Sequence, residues 1–267
     1  MSQTSSTCRP AGKPASRRIL VSALLGSLVM SLAFAILANS AFGAGSIKVY
    51  SNSLETSDGR SEVRQVGSAN CDRGGSSKSL RTELGKKTSE CAYRVPFVGR
   101  DLVVGVKARL FKSTPKKIAK RTYVAVSLRQ DGDGSRYQLA VFPVAGKFQL
   151  RKILPNGNIK YLDHGNKRNT INKLGEANRL TLRAYNGDGR LPDGTARVIA
   201  IVNGKKLAQV DDTRGNLLEG RDTTFSIGSK SGARGARGSF VDLGVSLPNT
   251  SGAKAGAWWC RPTTRRS

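Results

Sequence analysis

The sequence predicts an all-β sandwich for the body of the chain, and three observations predict it. From Leu102 to Leu247 apolar residues recur at every second position in short runs. Gly, Asn, Asp and Pro separate those runs, and no segment past Ile47 keeps a helical period. Only one long apolar stretch exists, which excludes a multispan helical membrane protein. The density of Val, Ile and Leu excludes a disordered chain for most of the 267 residues. The length would allow two domains, but all-β sandwiches of this size are ordinary as one.

Taken in order, the chain begins with an address. Residues 1–18 carry Arg9, Lys13, Arg17 and Arg18 with no acid, and a 19-residue apolar run extends from Ile19 to Leu37. The small residues Ala38 to Ala44 come next. A positive stretch, an apolar stretch and a small-residue exit are the parts of a secretory signal. The same run, left uncleaved, would nearly span a bilayer and place the C-terminal body outside. Residues 1–45 are therefore expected to be a signal peptide or membrane anchor, 46–248 the sandwich, and 249–267 a disordered basic tail. On either reading the body is secreted or otherwise extracytoplasmic, and touches a membrane only through an uncleaved N-terminal segment.

The cysteines agree with export, since oxidising compartments favour pairing. Cys71 and Cys91 flank the strand-like Leu80 to Leu84 and are the expected bridge. Cys260 is left over, either free, paired between chains, or competing for one member of that bridge. There is no CxxC and His164 is the only imidazole, so no metal is expected. No motif calls for a cofactor.

About ten strands succeed one another at short spacing. Leu102, Val104 and Val106 alternate with Val103, Gly105 and Lys107, and Val124, Val126 and Leu128 with Ala125, Ser127 and Arg129. Asp131-Gly132-Asp133-Gly134 turns the chain into Tyr137, Leu139 and Val141. That acidic turn and Asn186-Gly187-Asp188 offer too few oxygens for calcium and read as hairpin turns. Strands at Phe148 to Arg151 and Ile159 to Leu162 come next, and Leu162-Asp163-His164-Gly165 reads as a turn. Leu180 and Leu182 alternate with Arg179, Thr181 and Arg183. Val198 to Val202 and Lys205 to Val210 flank Asn203-Gly204, the residues a type I′ turn needs. Phe225 to Ile227 is next, then the Gly/Arg loop Ser229 to Gly238, then Val241, Leu243, Val245 and Leu247 in clean alternation.

Those later elements carry a resemblance. The strand Ala177-Asn178-Arg179-Leu180-Thr181-Leu182, the hairpin VNGKKLAQV, the passage FSIGSKSGARGARGSF and the closing FVDLGVSLP occur in that order. Their succession over Leu102–Leu247 resembles the C-terminal half of a concanavalin A-like, laminin-G-like jelly roll. The resemblance implies a jelly-roll β-sandwich, a fold that often binds carbohydrate and sometimes cuts it. The segment from Cys71 to Asp101 resembles uncharacterised secreted bacterial proteins, which implies no activity.

Cutting needs residues that are mostly absent. The retaining glucanases of this fold carry E-x-D-x-x-E on one strand, and no such run occurs. Leu80-Arg81-Thr82-Glu83-Leu84 is similar to the R-[ST]-E-L strand of jelly-roll alginate lyases. By that match Arg81 would hold a uronate carboxylate and Glu83 would orient it, with His164 and Tyr137 completing a lyase site. The family's Q-[IV]-H and Tyr-Lys-Ala-Gly-x-Tyr motifs are missing.

The charge is informative about the partner. The formal net charge is +27, and residues 1–43 account for four of those positive charges and no negative ones, which leaves +23 on the exported part. Such a surface favours anionic partners. No nucleic-acid-binding motif occurs, so no specific nucleic acid is expected. The expected function is non-catalytic binding of an anionic polysaccharide or other envelope polyanion. A polysaccharide lyase and a structural envelope protein without a discrete ligand are the alternatives. The expected ligand-binding residues are those that alternation places on a wet face, Arg129, Gln149, Arg151, Arg179 and Arg183, with Lys230, Arg234 and Arg237 of the cationic loop.

Overall fold

The structure is a computed structural model that describes residues 8–10, 46–67, 70–76, 78–85, 88–186, 194–213, 218–230, 234–248 and 258–260. Its elements run β1 (Cys8–Pro10), β2 (Ile47–Asn52), α1 (Ser57–Glu62), β3 (Arg64–Val66), β4 (Cys71–Ser76), β5 (Ser79–Leu84), β6 (Glu90–Arg94), β7 (Leu102–Leu110), α2 (Lys116–Ala119), β8 (Thr122–Gln130), β9 (Arg136–Phe142), β10 (Lys147–Ile153), β11 (Ile159–Asn166), β12 (Ala177–Asn186), β13 (Ala196–Val202), β14 (Lys205–Asp212), β15 (Asp222–Ser229), β16 (Arg237–Leu247) and β17 (Trp258–Cys260). Strands β2 to β16 form two antiparallel sheets. The seven-stranded sheet has the order β11-β10-β9-β8-β15-β6-β3. The eight-stranded sheet runs β14-β13-β12-β7-β16-β5-β4, with β2 also on β16. The eleven-residue β16 makes this possible, pairing with β5 through Arg237–Phe240 and with β2 through Leu243–Leu247.

The alternation seen in sequence sets which face is dry. Val124, Val126 and Leu128 of β8 join Val104 and Val106 of β7 and Leu180 and Leu182 of β12 in one core between the sheets. The edges are tied as well. Cys71 on β4 and Cys91 on β6 form the expected disulfide, with Cα atoms 5.7 Å apart, and it staples one sheet to the other. At another point Lys152 on β10 and the Tyr137 hydroxyl on β9 both donate to Asp212 Oδ2 on β14, at 2.8 and 2.7 Å. The Asn203-Gly204 turn has φ of 49° and 79°, as a type I′ hairpin requires.

Within the two large sheets four strands carry no sequence signal, and neither do the two short helices. β2, β3, β4 and β6 are three to six residues long, too short to show a period. Helix α1 is polar throughout and is held by its N-cap, where Thr56 Oγ1 accepts from Gly59 N. Two expectations are corrected by backbone geometry. The last strand does not alternate cleanly: Asp242 has φ of 52°, and the register against β7 shifts between Val241 and Gly244. His164 lies in β11 rather than in a turn.

β1 and β17 form a separate two-stranded sheet with Cys8 opposite Cys260, at places where no strand is legible in the sequence. Otherwise the expected leader and tail lie outside the described residues, as do residues 187–193 and 231–233 of the turns and loops named above. Among the described residues no helix is long and apolar enough to cross a membrane.

Candidate functional site

The seven-stranded sheet turns one face away from the core, and side chains from its rims cover much of that face. Register places Ala140, Ala125, Ser226 and Ala92 side by side across β9, β8, β15 and β6, and Gln138, Ser127, Thr224 and Arg94 in the next row. Small side chains in the middle leave space that longer ones fill. Tyr123 lies over Gly228, where an added Cβ would sit 2.3 Å from the ring, so only glycine fits beneath it. Phe142 packs beside Tyr123 with ring centroids 5.4 Å apart, and the Arg151 guanidinium covers the Tyr123 ring at 4.6 Å. Burial and the negative charge of Glu90 push the Tyr123 hydroxyl up to about 12, against a smaller opposing effect of Arg151.

A polar chain crosses this floor. Arg151 Nε donates to Gln138 Oε1 at 2.7 Å, and Gln138 Nε2 donates to Glu90 Oε1 at 2.8 Å. Glu90 also accepts from Ser226 Oγ and from Arg136, each at 2.5 Å. Each planar group thereby fixes the next, and the Glu90–Arg136 pair is largely buried, at 17% and 16% exposure. Above the floor is an open groove of about 540 Å³. The β8–β9 turn at Asp133-Gly134 and the β10–β11 turn at Leu154 to Gly157 contribute to its lining, as do Ile159, Tyr161 and Lys230. Three large hydrophobic side chains stand exposed among the described residues, and two of them, Ile159 at 44% and Tyr161 at 47%, are in this groove. The Asp131 and Asp133 carboxylates are occupied locally, accepting from Gly132 N and Ser135 N, as in a hairpin turn.

No protein-family model matches the sequence, and no curated protein matches it. Solved structures do. A protein of unknown function with a galectin-like fold from Bacillus subtilis matches at 12% identity over 76% of this chain and 97% of its own, with a TM-score of 0.51. A Bacillus subtilis carbohydrate-binding module matches at 12% identity over 69% of this chain and 94% of its own, with a TM-score of 0.50. A Bacillus licheniformis β-glucanase matches at 8% identity over 76% and 98%, with a TM-score of 0.50. The fold is a concanavalin A-like jelly roll.

The two sheets of the jelly roll divide the residues that the sequence nominates. Gln149 lies on the outward face of the seven-stranded sheet and Lys230 on its rim, with the Lys230 ammonium 5.4 Å from the Phe142 ring. Arg151 is on the same face but, against the expectation of a wet side chain, only 3% exposed, because Tyr123 and Gln138 pack on its guanidinium. Arg179 and Arg183 are half-buried on the outward face of the eight-stranded sheet. Arg237 is on that sheet too, paired with Glu83 at 2.7 Å, and Arg234 is exposed in the turn before it. The set therefore does not form one surface. Arg129 is on neither face and is a correction. Its φ of 55° and a register shift between β8 and β15 turn the side chain inward, where it is fully buried and bonded to Asp101 at 2.8 Å.

The lyase constellation is not assembled. Arg81 and Glu83 share the outward face of the eight-stranded sheet, while Tyr137 is fully buried between the sheets with its hydroxyl on Asp212. His164 is exposed at the edge of the seven-stranded sheet, 5.7 Å from the Tyr161 ring. Sequence reasoning missed Glu90, Arg136, Gln138, Tyr123 and Tyr161. Parity within β8, β9 and β11 could have nominated the last four. Nothing marked Glu90, because its strand is five residues long.

Proposed function

We propose that this jelly roll is an exported, non-catalytic polysaccharide-binding domain and that an acidic polysaccharide lies in the groove of its seven-stranded sheet. The observation that carries the reading is the pairing of exposed Tyr161 and Ile159 with a fixed row of planar polar groups in one groove. Sugars present C–H faces that suit an aromatic ring and hydroxyls that suit oriented donors and acceptors. Lys230, Arg136 and Arg151 give the groove an excess of positive charge over Glu90 and Asp133, which favours a uronate or similar acid. The likeness of the fold to a carbohydrate-binding module and to a β-glucanase agrees with a sugar ligand. The disulfide fits an oxidising compartment outside the cytoplasm.

The use made of the acids in this groove supports binding rather than hydrolysis. Glycoside hydrolysis needs two available carboxylates at a fixed separation. Glu90 accepts three side-chain hydrogen bonds and Asp133 caps a turn.

The test compares polygalacturonate with its methyl ester, which keeps the backbone and removes the charge. Tyr161→Ala should weaken binding to both about tenfold, a typical loss for an aromatic contact buried by its ligand. Lys230→Gln should weaken binding to the acid alone, and neither change should alter the melting temperature. Incubation should release no unsaturated, ultraviolet-absorbing product. Unchanged binding by Tyr161→Ala would move the site elsewhere, and release of such products would make the protein a lyase.

A further inference from the structure

The opposite face of the molecule holds a second groove, of about 450 Å³, on the outward side of the eight-stranded sheet. Register builds it. Ser239 on β16 is the partner of Arg109 on β7 and of Arg81 on β5, so the two arginines flank a small residue on one row. Neighbouring strands lie about 4.8 Å apart, which places the backbones of the two arginines about 10 Å apart across that row. Lys107 is two residues along β7 on the same face, and Lys78 precedes β5. Glu55 is the single acid among the lining residues.

Two features mark this cluster, the first shared with other surface cations such as Lys205 and Lys206 and the second particular to its two arginines. The first is the absence of counter-charges. Arg94, Arg100, Arg129, Arg136, Lys152, Arg197 and Arg237 each have a carboxylate within salt-bridge distance, whereas Lys78, Arg81, Lys107 and Arg109 have none among the described residues. Lys107 even stands directly opposite Arg179 across β7 and β12, an arrangement of like charges that costs stability. The second is rigidity. The Phe111 ring has the Arg81 guanidinium 5.7 Å from its centroid and the Arg109 guanidinium at 5.1 Å. One aromatic thus holds two planar forks in place, which lowers the entropy lost when they grip an anion.

We propose that this face is a second, independent binding site for an acidic glycan whose carboxylate, sulfate or phosphate groups repeat along the chain. Two arginine forks held on one ring can each grip an oxyanion, and the small floor of Ser239, Ala177 and Val241 admits a chain beside them. A nucleic acid is disfavoured because the one aromatic here has its ring taken by guanidinium groups, which leaves no platform for base stacking. A membrane is disfavoured because the one large apolar side chain at these cations, Phe111, is only partly exposed and packs against their guanidinium groups.

The probe is dextran sulfate, with uncharged dextran as its control. Binding is read for the wild type, for Arg81→Gln with Arg109→Gln, and for Tyr161→Ala. The double variant should bind dextran sulfate at least tenfold more weakly, and its salt dependence should flatten by about two released counterions. Tyr161→Ala, which touches only the first groove's share of the binding, should weaken it clearly less than the double variant does, and the melting temperature of the double variant should hold. The proposal is overturned if the double variant stays within twofold of the wild type, or if Tyr161→Ala loses as much, since the polymer would then use the first groove. Tighter binding of single-stranded DNA than of dextran sulfate would assign the face to nucleic acid, and binding to anionic vesicles without dextran sulfate would assign it to lipid. Loss of polygalacturonate binding by Tyr161→Ala is a separate measurement, so either groove can fail without the other.

Discussion

Arg129 and Arg197 show how much the worth of one arginine depends on where its backbone points. Arg197 is a partly exposed β13 residue with both Asp211 oxygens in reach, at 2.7 and 2.8 Å, and solvent competes for every part of that pair. Arg129 is fully buried and donates to Arg100 O at 3.0 Å, to Asp101 Oδ1 at 2.8 Å and to Leu218 O at 3.4 Å. Burial pulls the Arg129 pKa down and Asp101 opposes that pull, so the pair holds a charge that the interior alone would reject. Removing the guanidinium leaves two carbonyls and part of a carboxylate without donors. Arg129→Met should therefore cost about 2–4 kcal/mol, while Arg197→Met costs about 1 kcal/mol or less. Denaturant unfolding of the two variants measures the difference, and equal losses would show that the buried network contributes nothing special. The same residue marks a limit of reading by alternation. Thr122 to Gln130 alternates well enough to define a strand, but the positive φ at Arg129, its penultimate residue, cannot be seen in letters. One such residue reverses the face to which its side chain points.

At the level of elements, legibility followed length. Strands of seven residues or more, such as β8, β9, β12 and β13, show their alternation and their turns, and the sandwich could be drawn from them. β3, β4 and β6 could not, because pairing with longer neighbours creates them rather than their own pattern. The first groove suffered for this, since its central acid Glu90 begins β6. The bridge between β4 and β6 was legible, because an oxidising compartment leads cysteines to pair, and its placement explains why such weak strands hold. It closes a sequence separation of 20 residues and joins an outer strand of one sheet to the other sheet. Cys71→Ser with Cys91→Ser should lower stability by about 3 kcal/mol, the loop-closure value for that length. The loss should concentrate at β4 and β6, where hydrogen exchange reports local opening. An unchanged unfolding midpoint, or peptide mapping that joins Cys260 to either residue, would refute this assignment.

The whole molecule carries a formal charge of +27 and a sequence pI near 10.7, and the fold distributes cations over two outward faces. Net charge alone would attract any polyanion and would lose that attraction as salt screens it, over about 10 Å at 0.1 M. On the proposed reading, two grooves on opposite sides of one sandwich would do something that net charge does not, because one molecule would hold two polymer chains at once. Polygalacturonate mixed with the protein should form a turbid network at intermediate ratios. It should clear when protein is in excess, since each chain is then saturated and bridges are lost. Raising salt from about 0.05 to 0.5 M should also clear it. Arg81→Gln with Arg109→Gln should abolish the turbidity while the Tyr161 groove still binds. The control is Lys205→Gln with Lys206→Gln, which removes the same charge from the β13–β14 hairpin, away from both grooves. If that control clears the network as completely as the arginine pair does, the effect belongs to net charge. If it stays turbid, the effect belongs to the placement of forks on the eight-stranded sheet.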